Sequence, residues 1–191
     1  MEWDDLNFWQ TGEWQKIQER LDDMEEEKLT LCPARENMFA ALDAVHFDKV
    51  KVVILGQDPY PNPYHATGIA FSLPKRMSEI TKFPPTLQNI FKEYIDDLHY
   101  DIPKSGWLGK WVEQGVLLWN AIPTTQEGNP KAHRCWWEWE ELTKEIVKTL
   151  SDKRDGLVFV FWGGQAQTYE QYVDQKKHKV LRSPHPSPLS A

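Results

Sequence analysis

Four short apolar runs, KVVIL at 51–55, VLLW at 116–119, LVFVFW at 157–162 and KVL at 179–181, are separated by helical periodicity at 86–98, 107–114, 136–150 and 165–176. This alternation leaves the chain few ways to fold. Strands joined through helices cannot turn back as tight hairpins, so they lie parallel, and a parallel sheet needs helices over both faces. The expected fold is α/β, a central four-stranded parallel twisted sheet flanked by helices. A length of 191 residues suffices for one sizeable core. Residues 1–191 are therefore expected to form a single domain. Its first 30 residues read as an acidic helical segment with Leu6, Trp9, Trp14, Ile17 and Leu21 as an apolar stripe. A helix over 34–45 would place Met38, Ala41, Leu42 and Val45 on one face.

The ends of the four runs differ in chemistry. The first exits into Gly56-Gln57-Asp58, the second into Asn120, the third into Gly163-Gly164 and the fourth into Ser183-Pro184-His185. In a parallel sheet these exits share one edge, where open α/β sheets bind their ligands. Taken singly, Asp58 reads as a turn or cap residue, Asn120 as a satisfied buried amide and His185 as part of a rigid loop. Their recurrence at successive exits favours a site. The first exit also continues GQDPYPNPYH, residues 56–65, where Pro59, Pro61 and Pro63 stiffen the backbone around Asp58 and Tyr60. A surface turn needs no such rigidity, whereas a carboxylate held beside a substrate does.

Composition excludes several classes. The chain is 40% hydrophobic and 27% charged, which is ordinary for a globular protein and not for a disordered one. No apolar run approaches the roughly 18 residues of a membrane span. The N-terminus MEWDDLNFWQ has neither a secretory pattern nor the acid-poor character of a transit peptide. An intracellular, cytoplasmic location is expected, with no membrane. Cys32 and Cys135 are isolated and the six histidines lack paired-ligand spacing, so no metal or disulfide framework is expected. GxGxxG, GxxxxGK[ST] and GxSxG patterns are absent, which weakens nucleotide-cofactor, P-loop and serine-hydrolase readings. The net charge of −7 argues against a polyanionic partner until its distribution is read. Residues 1–28 hold ten acidic and three basic side chains, and the remainder balances to zero. Lys176, Lys177, Lys179 and Arg182 form a local basic strip, more often a solvated face but adequate for phosphate contact.

GQDPY with FS downstream, GVLLWNA, FWGGQAQ and HPSPLS, in this order, resemble the family-1 uracil-DNA glycosylases from about residue 50 to 191. The ordered set is far more specific than any one motif. The resemblance implies a DNA repair glycosylase that flips deoxyuridine out of the stack and hydrolyses its N-glycosidic bond, leaving an abasic site without strand cleavage. It implies no cofactor and a monomer. Asp58 would stabilise the sugar cation and position or activate water, and His185 would donate to uracil O2 as negative charge grows there. Gln57 would help hold the pocket entrance and Phe71 would stack on the base. Tyr60 would exclude the thymine methyl group. Asn120 would pair with uracil O4 and N3–H, a pattern that cytosine reverses. Leu189 would wedge into the base stack. Phosphate contacts would come from Thr86, Ser187 and Ser190, with Pro84 and Pro85 in the same FPPT segment and with Gly163 and Gly164 allowing close backbone approach. Partners implied are single- and double-stranded DNA containing uracil and a DNA-mimicking inhibitor protein seated on the Leu189 groove.

The match has departures. Pro61 stands where the family commonly has His, as in a poxvirus branch, and Thr67 stands where His is usual. NPYHATG, with bulky Tyr64, replaces a glycine-rich loop, and Gly164 replaces a frequent Ser. Trp136, Trp137 and Trp139 in KAHRCWWEWEE read as helix packing. The family continues past HPSPLSA with a phenylalanine-rich segment and a terminal helix, and a chain lacking that tail is expected to be less stable. Two other readings follow from these differences. One is a catalytically weak DNA-binding or assembly subunit on the same fold, against which the retained Asp58 and His185 argue. The other is a glycosylase of shifted base preference, against which Tyr60 and Asn120 argue.

Overall fold

The strand runs at 52–56 and 116–120 are buried on both faces beyond their first residue, which explains why they read as uninterrupted apolar runs. The computed structural model describes residues 1–77, 82–101 and 103–190. Its strands are β1 (Leu31–Cys32), β2 (Val52–Gly56), β3 (Val116–Asn120), β4 (Thr125–Gln126), β5 (Val158–Trp162) and β6 (Lys179–Ser183). Its α-helices are α1 (Gly12–Glu26), α2 (Ala40–Ala44), α3 (Pro85–Leu98), α4 (Gly109–Glu113), α5 (Trp137–Lys153) and α6 (Gly164–Gln167). Four strands form one parallel sheet in the order β3-β2-β5-β6, as the strand-helix alternation predicts. Its register pairs Gly56 with Asn120, Leu55 with Phe161 and Trp162 with Ser183, so the four exits end nearly level.

The sheet is not evenly covered. Val53, Leu55, Leu117, Trp119, Phe159 and Phe161 are fully buried, but β6 has Leu181 46% exposed and also carries exposed Lys179 and Arg182. Charged residues on an outer strand discourage edge pairing with another chain. α5 packs on α1, α2 and α4 lie against β3, and α6 lies against β5. One buried cluster runs from Trp3 to Val173. Burying a Leu, Ile or Phe is worth roughly 1.5–3 kcal/mol, and Leu6, Ile17 and Leu21 join that cluster from the acidic N-terminal segment. Trp9 and Trp14 pack there edge-on, with ring centroids 5.5 Å apart.

Several expected helices are shorter than their periodicity. The stretch 34–45 divides into a 3-10 turn, Arg35–Asn37, and α2, with the break at Phe39 (φ −106°, ψ 11°). There the Phe39 ring packs 5.1 Å from Trp9 and 6.1 Å from Trp139. The stretch 165–176 becomes α6 and a 3-10 turn, Thr168–Tyr172. It stops because Ser151 captures the following backbone, accepting the Asp174 N–H at 2.8 Å, and Asp174 accepts the Lys176 N–H at 2.9 Å. Such side-chain bonds compete with helical ones. The two-residue strands β1 and β4 pair antiparallel and are too short to leave a pattern in sequence.

Candidate active site at the strand exits

β2 ends at Gly56, where a side chain has no room. A Cβ would lie 2.4 Å from Asn120 Oδ1, 3.2 Å from the Ala70 Cβ and 3.3 Å from the Phe71 ring. The chain then presents Gln57 and Asp58. The Asp58 carboxylate accepts the Gln57 Nε2–H at 2.5 Å on one oxygen and the Lys131 backbone N–H at 2.9 Å on the other. Each oxygen is therefore oriented by one donor and keeps lone pairs for a ligand. Pro59 is buried, and the Pro61 carbonyl accepts the Gly128 N–H at 2.9 Å, so the proline-rich exit is tied to the turn after β4.

Lys131 was not evident in the sequence. It reaches Asp58 through its backbone, and a main-chain donor carries no residue signature. Its φ of 68° lies in the left-handed region, uncommon outside glycine and found disproportionately at functional sites. Phe71 shares this feature with φ 64°. The Phe71 carbonyl accepts the Tyr60 hydroxyl at 3.0 Å, and burial keeps that phenol far above its ordinary pKa, so it remains a neutral donor. The Phe71 ring meets Trp162 edge-on at 5.3 Å and His185 at 6.2 Å. Trp162 received no role from its motif, although the alternation along β5 sets it on the face opposite Phe159 and Phe161.

Asn120 closes β3 and is 6% exposed. Its amide makes no hydrogen bond within the described residues, so both donor and acceptor face the cavity unpaired. The backbone beyond it is fixed by a relay: Trp119 Nε1–H donates to Thr143 Oγ1 at 2.8 Å, and that hydroxyl donates to the Ala121 carbonyl at 2.8 Å. His185 follows β6. Its Nδ1 accepts the Ser187 N–H at 3.1 Å, so the neutral ring carries its proton on Nε2. Burial holds its pKa below the usual 6.5, with Asp58 opposing and Lys131 reinforcing the shift. Asn89 of α3 ties this loop down by donating to the Pro186 carbonyl at 2.9 Å. Gly163 is required twice over: its φ is 87°, and a Cβ would come 2.9 Å from the His185 Cβ.

These groups surround one cavity of about 440 Å³. Of the residues singled out in sequence, Gln57, Asp58, Tyr60, Phe71, Thr86, Asn120, Gly163, Gly164, His185, Ser187, Leu189 and Ser190 line it. Pro84 and Pro85 do not; they cap α3, and Thr86 reaches the cavity in their place. Leu189 is 95% exposed at the rim. The basic strip lies outside the cavity. None of Lys176, Lys177, Lys179 and Arg182 lines the cavity; Arg182 pairs with Glu170, and Lys177 with Asp155 at 3.3 Å. The cation that does line it is Lys131. Trp136 and Trp139 are buried packing residues, whereas Trp137 is exposed beneath the Lys16 ammonium, 5.0 Å from its ring.

A carboxylate, an amide without a protein partner among the described residues, an aromatic face and a neutral imidazole are thus collected at the carboxyl edge of a parallel sheet, an arrangement able to hold a planar ring beside a carboxylate. Residues 44–191 match the family model described as the uracil DNA glycosylase superfamily, and the chain belongs to that family. It is 43% identical over 191 residues to a uracil-DNA glycosylase of Coxiella burnetii (strain CbuG_Q212), covering 96% of this chain and 81% of that protein. It is 44% identical to one from Azotobacter vinelandii, covering 92% and 75%. Among solved structures, the mimivirus uracil-DNA glycosylase superposes with a TM-score of 0.86 at 34% identity, covering 96% of this chain and 68% of that one. A mimivirus UNG Y322L variant in complex with UGI superposes with a TM-score of 0.85.

Proposed function

We propose that this chain excises uracil from DNA, with the residues at the four strand exits as its working parts and residues 1–191 as a single functional domain. The observation that carries the reading is the Asn120 amide, which has no hydrogen-bond partner among the described residues and lines the same cavity as Asp58, Phe71 and His185. Its donor and acceptor are open to the cavity and have no protein partner among the described residues, so a planar base entering there can engage both. Uracil offers O4 and N3–H in the order that one amide can match, whereas cytosine offers the reverse. In the orientation that accepts from N3–H and donates to O4, the amide is left unpaired opposite cytosine, and a site that keeps this orientation rejects the mismatched base.

The flipped base lies against Phe71, with Tyr60 occupying the space beside C5. The C1′–N1 bond breaks with its electron pair leaving on uracil, and the His185 Nε2–H donates to O2, where that charge gathers. Asp58 stabilises the cationic sugar. A water oxygen then bonds to C1′, and its proton passes to the carboxylate. Gln57 and the Lys131 N–H hold that carboxylate in place. One donor aimed at a developing anion is worth roughly 2.7–4 kcal/mol of barrier. Thr86, Ser187, Ser190 and the Gly163-Gly164 backbone contact phosphates, and Leu189 enters the space that the base vacates. The enzyme acts as a monomer. The exposed Leu189 rim is the surface for a DNA-mimicking inhibitor protein, a reading supported by the UGI complex of the mimivirus neighbour.

A single-stranded oligonucleotide with one deoxyuridine, treated with protein and then hot alkali, tests this function. Breakage at uracil that requires the alkali and is absent with thymine is the expected result. DNA binding without any breakage would replace this account with that of a binding subunit.

A further inference from the structure

A second concavity, of about 500 Å³, lies between α3 and the 103–111 segment. Lys75, Lys104 and Lys110 surround it against one carboxylate, Asp101, and none of the three lysines has an ion-pair partner within the described residues. This is unusual in a molecule of net charge −7. The concavity on the other side of α3 carries Glu93 and Asp97, and one beside α5 carries Glu13, Glu141 and Glu145 against two lysines. The walls of the basic concavity are aromatic. Tyr94 and Trp111 have ring centroids 6.4 Å apart, and the Trp107 indole rests on Gly109, where a Cβ would come 2.0 Å from Nε1. All three aromatic residues are only partly buried.

Unpaired cations around half-exposed aromatic faces suit a chain of phosphates carrying planar rings: the ammonium groups take the backbone and the rings take the bases. An acidic peptide would use the lysines but leave the aromatic walls unexplained. We propose that this concavity is a second contact site for single-stranded DNA, engaging the strand beyond the nucleotide in the catalytic pocket. It rests on the reading of the chain as a DNA-acting enzyme. The two concavities share a buried wall, in which the Leu108 N–H donates to Ser72 Oγ at 3.0 Å, with Ser72 lining the catalytic cavity and Leu108 the second. α3 also spans them, from Thr86 to Tyr94, about 12 Å along the helix axis.

The test is equilibrium binding of a fluorescent, uracil-free oligothymidylate of about 15 nucleotides across a salt series. Wild type is compared with Lys104→Glu/Lys110→Glu and with Trp107→Leu, and melting midpoints check each fold. Charge reversal is expected to weaken binding at least about tenfold and to flatten the salt slope by about 1.4, the value for two lost phosphate contacts on a single strand. Trp107→Leu is expected to weaken binding roughly tenfold, with the slope unchanged. Excision from a deoxyuridine trinucleotide, too short to reach the concavity, stays at the wild-type rate in the charge-reversal variant. Binding by the charge-reversal variant that matches wild type would overturn the proposal. So would an equal loss on the trinucleotide, or a parallel loss of polyglutamate binding, which would assign the surface to acidic peptides. If wild type excises nothing but the binding pattern holds, the catalytic reading fails and this site stands. Should Trp107→Leu not fold, charge reversal alone decides.

Discussion

At Gly56 the missing side chain determines where the neighbouring amide can sit. A methyl group 2.4 Å from Asn120 Oδ1 must displace that amide or the Phe71 ring. Gly56→Ala is predicted to lower kcat/KM about a hundredfold, the scale of a displacement of about 1 Å in a reacting group. Circular dichroism should remain that of the folded protein; unchanged kinetics would remove Asn120 from recognition. His185 makes a prediction of its own. Because burial holds its pKa below 6.5, the neutral ring predominates at pH 6.5 and above, and the charged form gains as the pH falls. Its contribution to stability is complete above the unfolded value and is lost as pH falls through the folded one. Nitrogen NMR should find the Nε2–H tautomer at neutral pH and a titration midpoint below 6.5. An Nδ1–H tautomer or a higher midpoint would contradict the Ser187 hydrogen bond. The side chains at both positions, Asn120 and His185, were readable from strand exits and motif order. The clearance at Gly56 was not, because it depends on the Gly56–Asn120 register between strands.

At the scale of elements, the turn between β4 and α5 serves the site through its backbone. Lys131 holds a left-handed conformation and donates its N–H to Asp58. Lys131→Gly keeps that N–H and favours that φ, so kcat should stay within a few-fold of wild type. Lys131→Pro removes the donor and cannot adopt φ 68°, and kcat should fall about a hundredfold. Similar rates for the two variants would show that the turn does not orient Asp58. This arrangement also marks where sequence reading stops. The four parallel strands were legible because each is a bounded apolar run, and β6 differed only in continuing to Ser183. The helices at 34–45 and 165–176 were overcalled because Phe39 packing and the Ser151 hydroxyl redirect the backbone through partners distant in sequence. Pro84 and Pro85, singled out from a motif, begin α3 and stand outside the cavity. The pairing of Lys177 with Asp155 and of Arg182 with Glu170 was not legible, because those carboxylates come near only in the fold.

Across the whole molecule, the acidic N-terminal segment is joined to the side that builds the site. Arg20 of α1 pairs at 3.0 Å with Glu138, a carboxylate with no exposed surface, and lies 5.4 Å over the Trp136 ring. Trp136 stacks on His133 at 3.8 Å, two residues from Lys131. Arg20→Met leaves a buried charge without its cation and is predicted to cost about 3 kcal/mol. For a chain of this size that is a melting midpoint lower by roughly 6–12 °C. A shift near zero would mean that water replaces the guanidinium at no cost. The central claim is that a single pocket at the carboxyl edge of the sheet breaks the glycosidic bond through Asp58. Its most direct test is the single-turnover rate of uracil release by wild type and Asp58→Asn, with matched melting curves. The account predicts ready release by wild type and a rate at least about a thousandfold lower in the variant, equivalent to about 4 kcal/mol of barrier. An Asp58→Asn protein as fast as wild type would contradict it.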